Sequence, residues 1–186
     1  GPAFRASAWR SIWNGCEAES CLQGFKVGDQ VYTCTVNGLY IVAATNEAID
    51  IDSVVAGSES SAITFVNPVL QRCGASGQMV HIEGAANVQI LNAYMEVPSV
   101  GCTAAVRLSS AVRGFELGGL LYSTGGGPTN VDIVDTAAIT ASLRNITCYG
   151  DVRSFVKITG TQPCTNISGL THPSGTRCPA SSSSPM

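Results

Sequence analysis

An all-β chain wound as a parallel β-helix of about six coils is the architecture that this sequence predicts, and three observations predict it. Valine-led segments recur at Val31, Val55, Val80, Val106, Val131 and Val156, in steps of 24, 25, 26, 25 and 25 residues. Repeats of this length mark stacked architectures, in which each repeat buries its apolar face only against its neighbours. Within the repeats, apolar and polar residues alternate, as in Val80-His81-Ile82, Val106-Arg107-Leu108, Val131-Asp132-Ile133 and Val156-Lys157-Ile158. That is the period of two expected of a strand with one buried face. Finally, of 186 residues 45% are apolar and only 12% charged, with 20 glycines, a composition poor in the Lys/Glu-rich surfaces of helical proteins.

The elements follow in order. Residues 1–22 read as an N-terminal cap segment, headed by Gly1-Pro2, which has the form of the scar left by a cleaved expression tag. Phe4, Ala8 and Ile12 fall at helical spacing, as do Trp9 and Trp13, so a short amphipathic helix is expected to lay its aromatic face over the first coil. Residues 23–172 form the coils. The first inward column is the valine series. A second runs Leu39/Ile41, Ile63/Phe65, Val88/Ile90, Phe115/Leu117 and Ile139/Ala141, and a third runs Leu70, Met95, Leu121, Ile146 and Leu170. Turn chemistry separates the strands at Glu83-Gly84, Ser109-Ser110, Asp135-Thr136 and Thr159-Gly160. Residues 173–186, with Pro173, Pro179 and the serine run 181–184, read as a disordered tail.

Charge and cysteine usage bound the function. The net charge is −3 without a Lys/Arg cluster, so no nucleic-acid footprint is present. No apolar run approaches the roughly 18 residues of a membrane span. Eight cysteines in an acidic, Ser/Thr-rich chain point to an oxidising compartment, with Cys16–Cys21 and Cys164–Cys178 placed to staple the two ends. The alternative is that they are reduced, small, buried hydrophobes. No CxxC pair occurs and the histidines are His81 and His172 alone, so neither a metal site nor a cofactor is expected.

The stretch Val80-His-Ile-Glu-Gly-Ala-Ala-Asn-Val-Gln-Ile90 resembles the right-handed parallel β-helix of the pectate-lyase-like superfamily. That superfamily includes polysaccharide lyases and hydrolases and the tailspikes with which bacteriophages grip host glycans. The resemblance covers most of the chain and includes no diagnostic catalytic motif. It implies a secreted or virion-surface module that binds a polysaccharide or surface glycan, and, by analogy with tailspikes, a homo-trimer.

Stacked coils place equivalent residues in columns, so Tyr32, Ala56, His81, Arg107, Asp132 and Lys157 are expected to line one outer face. Arg107, Asp132 and Lys157 then read either as a surface charge ladder or as a polar groove for an acidic sugar, and His81 beside them reads as a solvated surface residue in preference to a catalytic base. Tyr94, Tyr122 and Tyr149 are the aromatic candidates for stacking on sugar rings, or else pack beneath loops. Glycosidase chemistry needs two carboxylates about 5–9 Å apart, yet Glu83, Glu96, Glu116, Asp132, Asp135 and Asp151 are scattered. No GxSxG or HExxH motif is present. Asn145-Ile-Thr and Asn166-Ile-Ser match the N-glycosylation acceptor. The leading reading is a non-enzymatic host-attachment module that binds glycan. A polysaccharide-degrading lyase or hydrolase, or a fragment of one, is the alternative, and a structural shaft is the third.

Overall fold

The computed structural model describes residues 1–53, 59–75, 77–97, 101–109, 112–123, 129–134, 141–149, 156–159, 166–171 and 180–181, with side chains as far as residue 119 apart from Val97. The first coil is β1 (Pro2–Ala6), β2 (Ser11–Asn14) and β3 (Glu17–Glu19). The second is β4 (Gln23–Val27), β5 (Tyr32–Asn37) and β6 (Tyr40–Val42), and the third is β7 (Ile49–Asp52), β8 (Ser60–Val66) and β9 (Val69–Gln71). Next come β10 (Gln78–Glu83) and the long β11 (Ala85–Val97), which serves two sides, followed by β12 (Ala104–Ser109) and β13 (Phe115–Ser123). The remaining strands are β14 (Thr129–Val134), β15 (Ala141–Tyr149), β16 (Val156–Thr159), β17 (Asn166–Thr171) and β18 (Ala180–Ser181).

Strands at equivalent positions pair in parallel. One sheet runs β1-β4-β7-β10-β12-β14-β16-β18, and a second runs β2-β5-β8-β11-β13-β15-β17. The third side is β3-β6-β9, which meets the end of β11. The fold is thus an all-β parallel β-solenoid, of about four turns in its best-described part. The six coils counted from Val31 are not reproduced. No helix occurs among the described residues, and the expected cap is strand: β1 pairs with β4, and β2 with β5. Trp13 turns partly inward, edge-on to Phe25 at 5.4 Å, while Trp9 is 72% exposed against Tyr32. The split arises because Trp13 occupies a partly buried position of β2, whereas Trp9 lies in the bend between β1 and β2. Of the tail, only Ala180–Ser181 is described, and it pairs with β16.

The register of these columns matches the expectation from Val80 onward and corrects it before. Phe25, Ile49, Val80, Val106, Val131 and Val156 stack in register, as do Val27, Ile51, Ile82, Leu108, Ile133 and Ile158. Val31 is buried but belongs to no strand, and Val55 lies outside the described residues. Ile49 to Val80 is a step of 31 residues, longer than the others because the connection from β7 to β8 is extended. Ile63/Phe65, Val88/Ile90 and Phe115/Leu117 do form the second column. It is completed by Cys34/Val36 and Ala141/Leu143, since Ile41 stacks on Leu70 of the third side and Ile139 lies outside the described residues. In the third column Met95 joins Leu70 to Leu121, whereas Ile146 pairs with Gly119 and Leu170. Three phenylalanines, Phe25, Phe65 and Phe115, are among the largest wholly buried side chains, and Phe25 meets Phe65 edge-on at 5.7 Å.

The corners are built by stacked residues in the left-handed backbone region. Thr33, Ala62, Asn87 and Gly114 form one such column, Gly15, Gly38, Asn67 and Asn92 a second, and Ser20, Ala43 and Arg72 a third. A left-handed residue swings the chain through the bend while its N–H still reaches the adjacent coil, as in Gly38 to Val66, Asn67 to Leu91 and Ala43 to Gln71. Asn67 and Asn92 add a side-chain bond at 3.4 Å. A residue with a Cβ costs about 1–2 kcal/mol in this region, and only glycine and, less freely, asparagine adopt it readily. Ala62, exposed at φ +55°, therefore holds strain that no side-chain contact offsets. Ala62→Gly is expected to raise stability by about 0.5–1 kcal/mol after allowing for glycine's larger unfolded-state entropy. A urea melt would show it as a higher midpoint at unchanged slope; a lower midpoint would contradict the corner account.

Candidate outer-face site of the first sheet

In-register stacking turns each outward residue of the first sheet into one rung of a column. Arg5, Lys26, Asp50, His81, Arg107, Asp132 and Lys157 follow one another in direct register. The predicted run His81-Arg107-Asp132-Lys157 is therefore a true column. Tyr32 and Ala56 are not part of it: Tyr32 is in β5, on another side, Ala56 lies outside the described residues, and Lys26 and Asp50 hold their rungs.

Asp50 is the centre of this face. It is only 4% exposed despite pointing away from the core, because its neighbours on the same face close over it. Lys26 Nζ donates to Oδ2 at 2.8 Å, Gln23 Nε2 donates to the same oxygen at 2.9 Å, and His81 Nδ1 lies 3.2 Å from Oδ1. A buried carboxylate is tolerated when it is paired and hydrogen-bonded in this way. Burial pushes its pKa up, but the bonds to His81 and Lys26 and their charges outweigh burial and hold it below the usual aspartate value. His81 shows the converse: desolvation lowers its pKa, yet the Asp50 bond, with the charges of Asp50, Glu83 and Glu47, raises it above the ordinary value.

The flanking columns are polar as well. Gln23 and Gln78 both donate to Glu47, at 3.1 and 3.0 Å. On the other flank Asp52, Glu83 and Ser109 stack in register. Lys26 reaches Asp52 at 3.5 Å, and Glu83 lies 3.7 Å from His81 Nε2. That same nitrogen is 2.9 Å from Ser109 Oγ. Asp50, His81 and Ser109, from three successive coils, are thus joined in one line of hydrogen bonds. Sequence reading missed Lys26, Asp50 and Ser109. The alternation Ile49-Asp50-Ile51-Asp52 was the available signal for the second of these.

The three tyrosines belong elsewhere. Tyr94 is half-buried on β11, opposite Val69 and Leu120, whereas Tyr122 pairs with Glu96 and Tyr149. They occupy two different columns of the third side and do not join the charged face. The exposed aromatic contact is instead Trp9 with Tyr32, edge-on at 5.6 Å. Glu116, one of the scattered acids, accepts from Gln89 Nε2 at 3.0 Å on the second sheet.

The expected Cys16–Cys21 bridge is absent; both are free thiols, as are Cys34, Cys73 and Cys102. β3 runs extended between Cys16 and Cys21, at about 3.3 Å per residue, and holds them at opposite ends of the strand. Cys73 and Cys102 are buried, and burial raises their pKa to about 11, which makes them inert packing groups. Cys164 and Cys178 lie outside the described residues. Among the described residues no His/Cys/Asp/Glu group has the arrangement of a metal site, and no helix is long and apolar enough to cross a membrane. No family model matches the chain, and neither a curated protein nor a solved structure matches it significantly.

The two shifts give opposite pH slopes. Asp50, with a depressed folded pKa, stabilises above its unfolded value of about 3.9 and loses that contribution as pH falls through the folded value. His81, with a raised folded pKa, stabilises below about 6.5 and loses its contribution as pH rises through the folded value. Melting temperature is thus expected to peak between about pH 4 and 6.5 and to decline toward pH 8. His81→Gln should flatten the alkaline decline and also shrink the acid limb, because the His81 bond is the first of the contacts that hold the Asp50 pKa down. An unchanged decline in that variant would remove His81 as its source.

Proposed function

We propose that this chain is a surface module that binds an acidic glycan along the outer face of its first sheet. The observation that carries the reading is the single column in which Arg107 and Lys157 flank Asp132 in direct register. Strand spacing puts these two cations about 10 Å apart, a separation suited to successive negative groups on an extended polymer, and charge-assisted bonds to carboxylates are the strong ones. A right-handed coil of the pectate-lyase-like kind, in a tailspike-like host-attachment protein on a virion or cell surface, is the setting that fits this reading. The exposed Trp9, Ile12 and Leu22 near the free edge of the first coil favour self-association, for which a homo-trimer is the tailspike-like form.

Arg107→Ala combined with Lys157→Ala is expected to weaken binding of acidic polysaccharides by about 100-fold or more, because each lost charge-assisted bond contributes about 1.5–3 kcal/mol. Added salt should weaken binding by the wild-type chain, since screening shortens to about 3 Å at 1 M. Calorimetric titration with a panel of acidic and neutral polysaccharides reads both. Undiminished affinity in the double variant would overturn the charged-column site, and depolymerisation of a panel member would favour the lyase or hydrolase reading. Light scattering bears on assembly: a mass near the chain's own 19.2 kDa would rule out the trimer.

A further inference from the structure

Across three successive rungs the outer face sets a carboxylate, an imidazole and a hydroxyl in line. Asp50 Oδ1 is 3.2 Å from His81 Nδ1, and His81 Nε2 is 2.9 Å from Ser109 Oγ. With Nδ1–H donating to Asp50, the free lone pair is on Nε2, and the Ser109 hydroxyl donates to it. The carboxylate is buried and fixed by Lys26 and Gln23, so it orients the ring and favours the tautomer with the proton on Nδ1. Ser109 is a partly exposed residue at the end of β12. These are the roles of an activated-nucleophile relay, recognised by geometry and independent of fold.

We propose that Ser109 is the nucleophile of an acyl-ester hydrolase site, with His81 as general base and acid and Asp50 as the positioning residue. The substrate class is a small acyl ester carried on a larger molecule, because the residues stand on an outer sheet face, which suits a projecting group. Ser109 Oγ forms a bond to the carbonyl carbon as its proton passes to His81 Nε2. The tetrahedral species then collapses, the ester C–O bond breaks, and the leaving alkoxide takes that proton and departs as the alcohol. Water next attacks the acyl-serine and gives a proton to His81. The carboxylic acid leaves as that proton returns to Ser109 Oγ, which restores the enzyme. Arg107, two residues before Ser109 on the same strand, supplies positive charge near the developing oxyanion.

His81 must be neutral to accept a proton, so the rate should rise with pH and reach half its maximum above the ordinary histidine value of about 6.5. The groups that set this value are Asp50 and Asp52 on β7, Glu47 just before it, Glu83 on β10, Lys26 on β4, and Arg107 on β12.

Two probes test the proposal on the whole chain: hydrolysis of p-nitrophenyl acetate, and covalent labelling by a fluorophosphonate located by peptide mapping. Wild type is expected to hydrolyse the ester above the buffer rate and to carry the label on Ser109. Ser109→Ala should lose both while keeping the far-UV circular dichroism of the wild type, and His81→Gln should slow hydrolysis by about 100-fold or more. Label on another residue, no label on the folded wild type, or Ser109→Ala hydrolysing at the wild-type rate would each overturn the proposal. The probes carry no sugar, so their outcome is independent of whether the face binds an acidic glycan.

Discussion

Parallel, in-register pairing between successive coils is the constraint on which everything else in this molecule depends. Each strand must put its hydrogen-bonding groups opposite those of the coils before and after it. Side-chain identity is thereby copied along columns spaced at about 4.8 Å. Inward, this makes a core of like on like, with Phe25, Ile49 and Val80 following one another at full burial. Outward, it brings charged side chains of successive coils within reach of one another, as Lys26, Asp50 and His81 show. The corners answer the same demand. Their left-handed residues bend the chain without breaking the ladder, and the strain at Ala62 and Thr33 is the local cost of continuous pairing.

Asp50 shows how that regularity generates a special environment without a pocket. A lone carboxylate on a sheet surface would be solvated and ordinary. Here long side chains one rung away on either side, Lys26 and His81, lie along the column and exclude water from it. The charge left in reduced dielectric binds its partners more strongly than it would in water. The ion pair and the histidine are therefore mutually dependent, and the perturbed ionisation of each is a property of the column.

Much of this was legible in the sequence where the repeat is even. From Val80 on, steps of 26, 25 and 25 residues give the register in which Val80, Val106, Val131 and Val156, and His81, Arg107, Asp132 and Lys157, pair from strand to strand. Before Val80 the same rule fails, because the long connection after β7 shifts the phase and Val31 and Val55 imitate its members. That error hid Asp50 behind Ala56. Ser109 was hidden for another reason: Ser109-Ser110 reads as turn chemistry, yet Ser109 is the last residue of β12. The N-terminal segment misled because spacings of four between apolar residues satisfy both a helical face and every second position of a strand. Phe4 and Ala8, or Trp9 and Trp13, do not distinguish the two. A hydrogen-bond line through three coils has no counterpart in local sequence, since Asp50, His81 and Ser109 are separated by 31 and 28 residues.

The extended connection between β7 and β8 has an implication for how such a chain changes over time. Ile49 to Val80 takes 31 residues, yet the strands on both sides keep their register, so the surplus length between strands does not propagate. Position on the outer face is then a pair of coordinates, rung and offset along the strand, that insertions between strands leave intact. Functional groups can be exchanged at single coordinates while the address of every other group is preserved. A scaffold of this kind can acquire or lose an activity by substitution on its face and vary its loops independently.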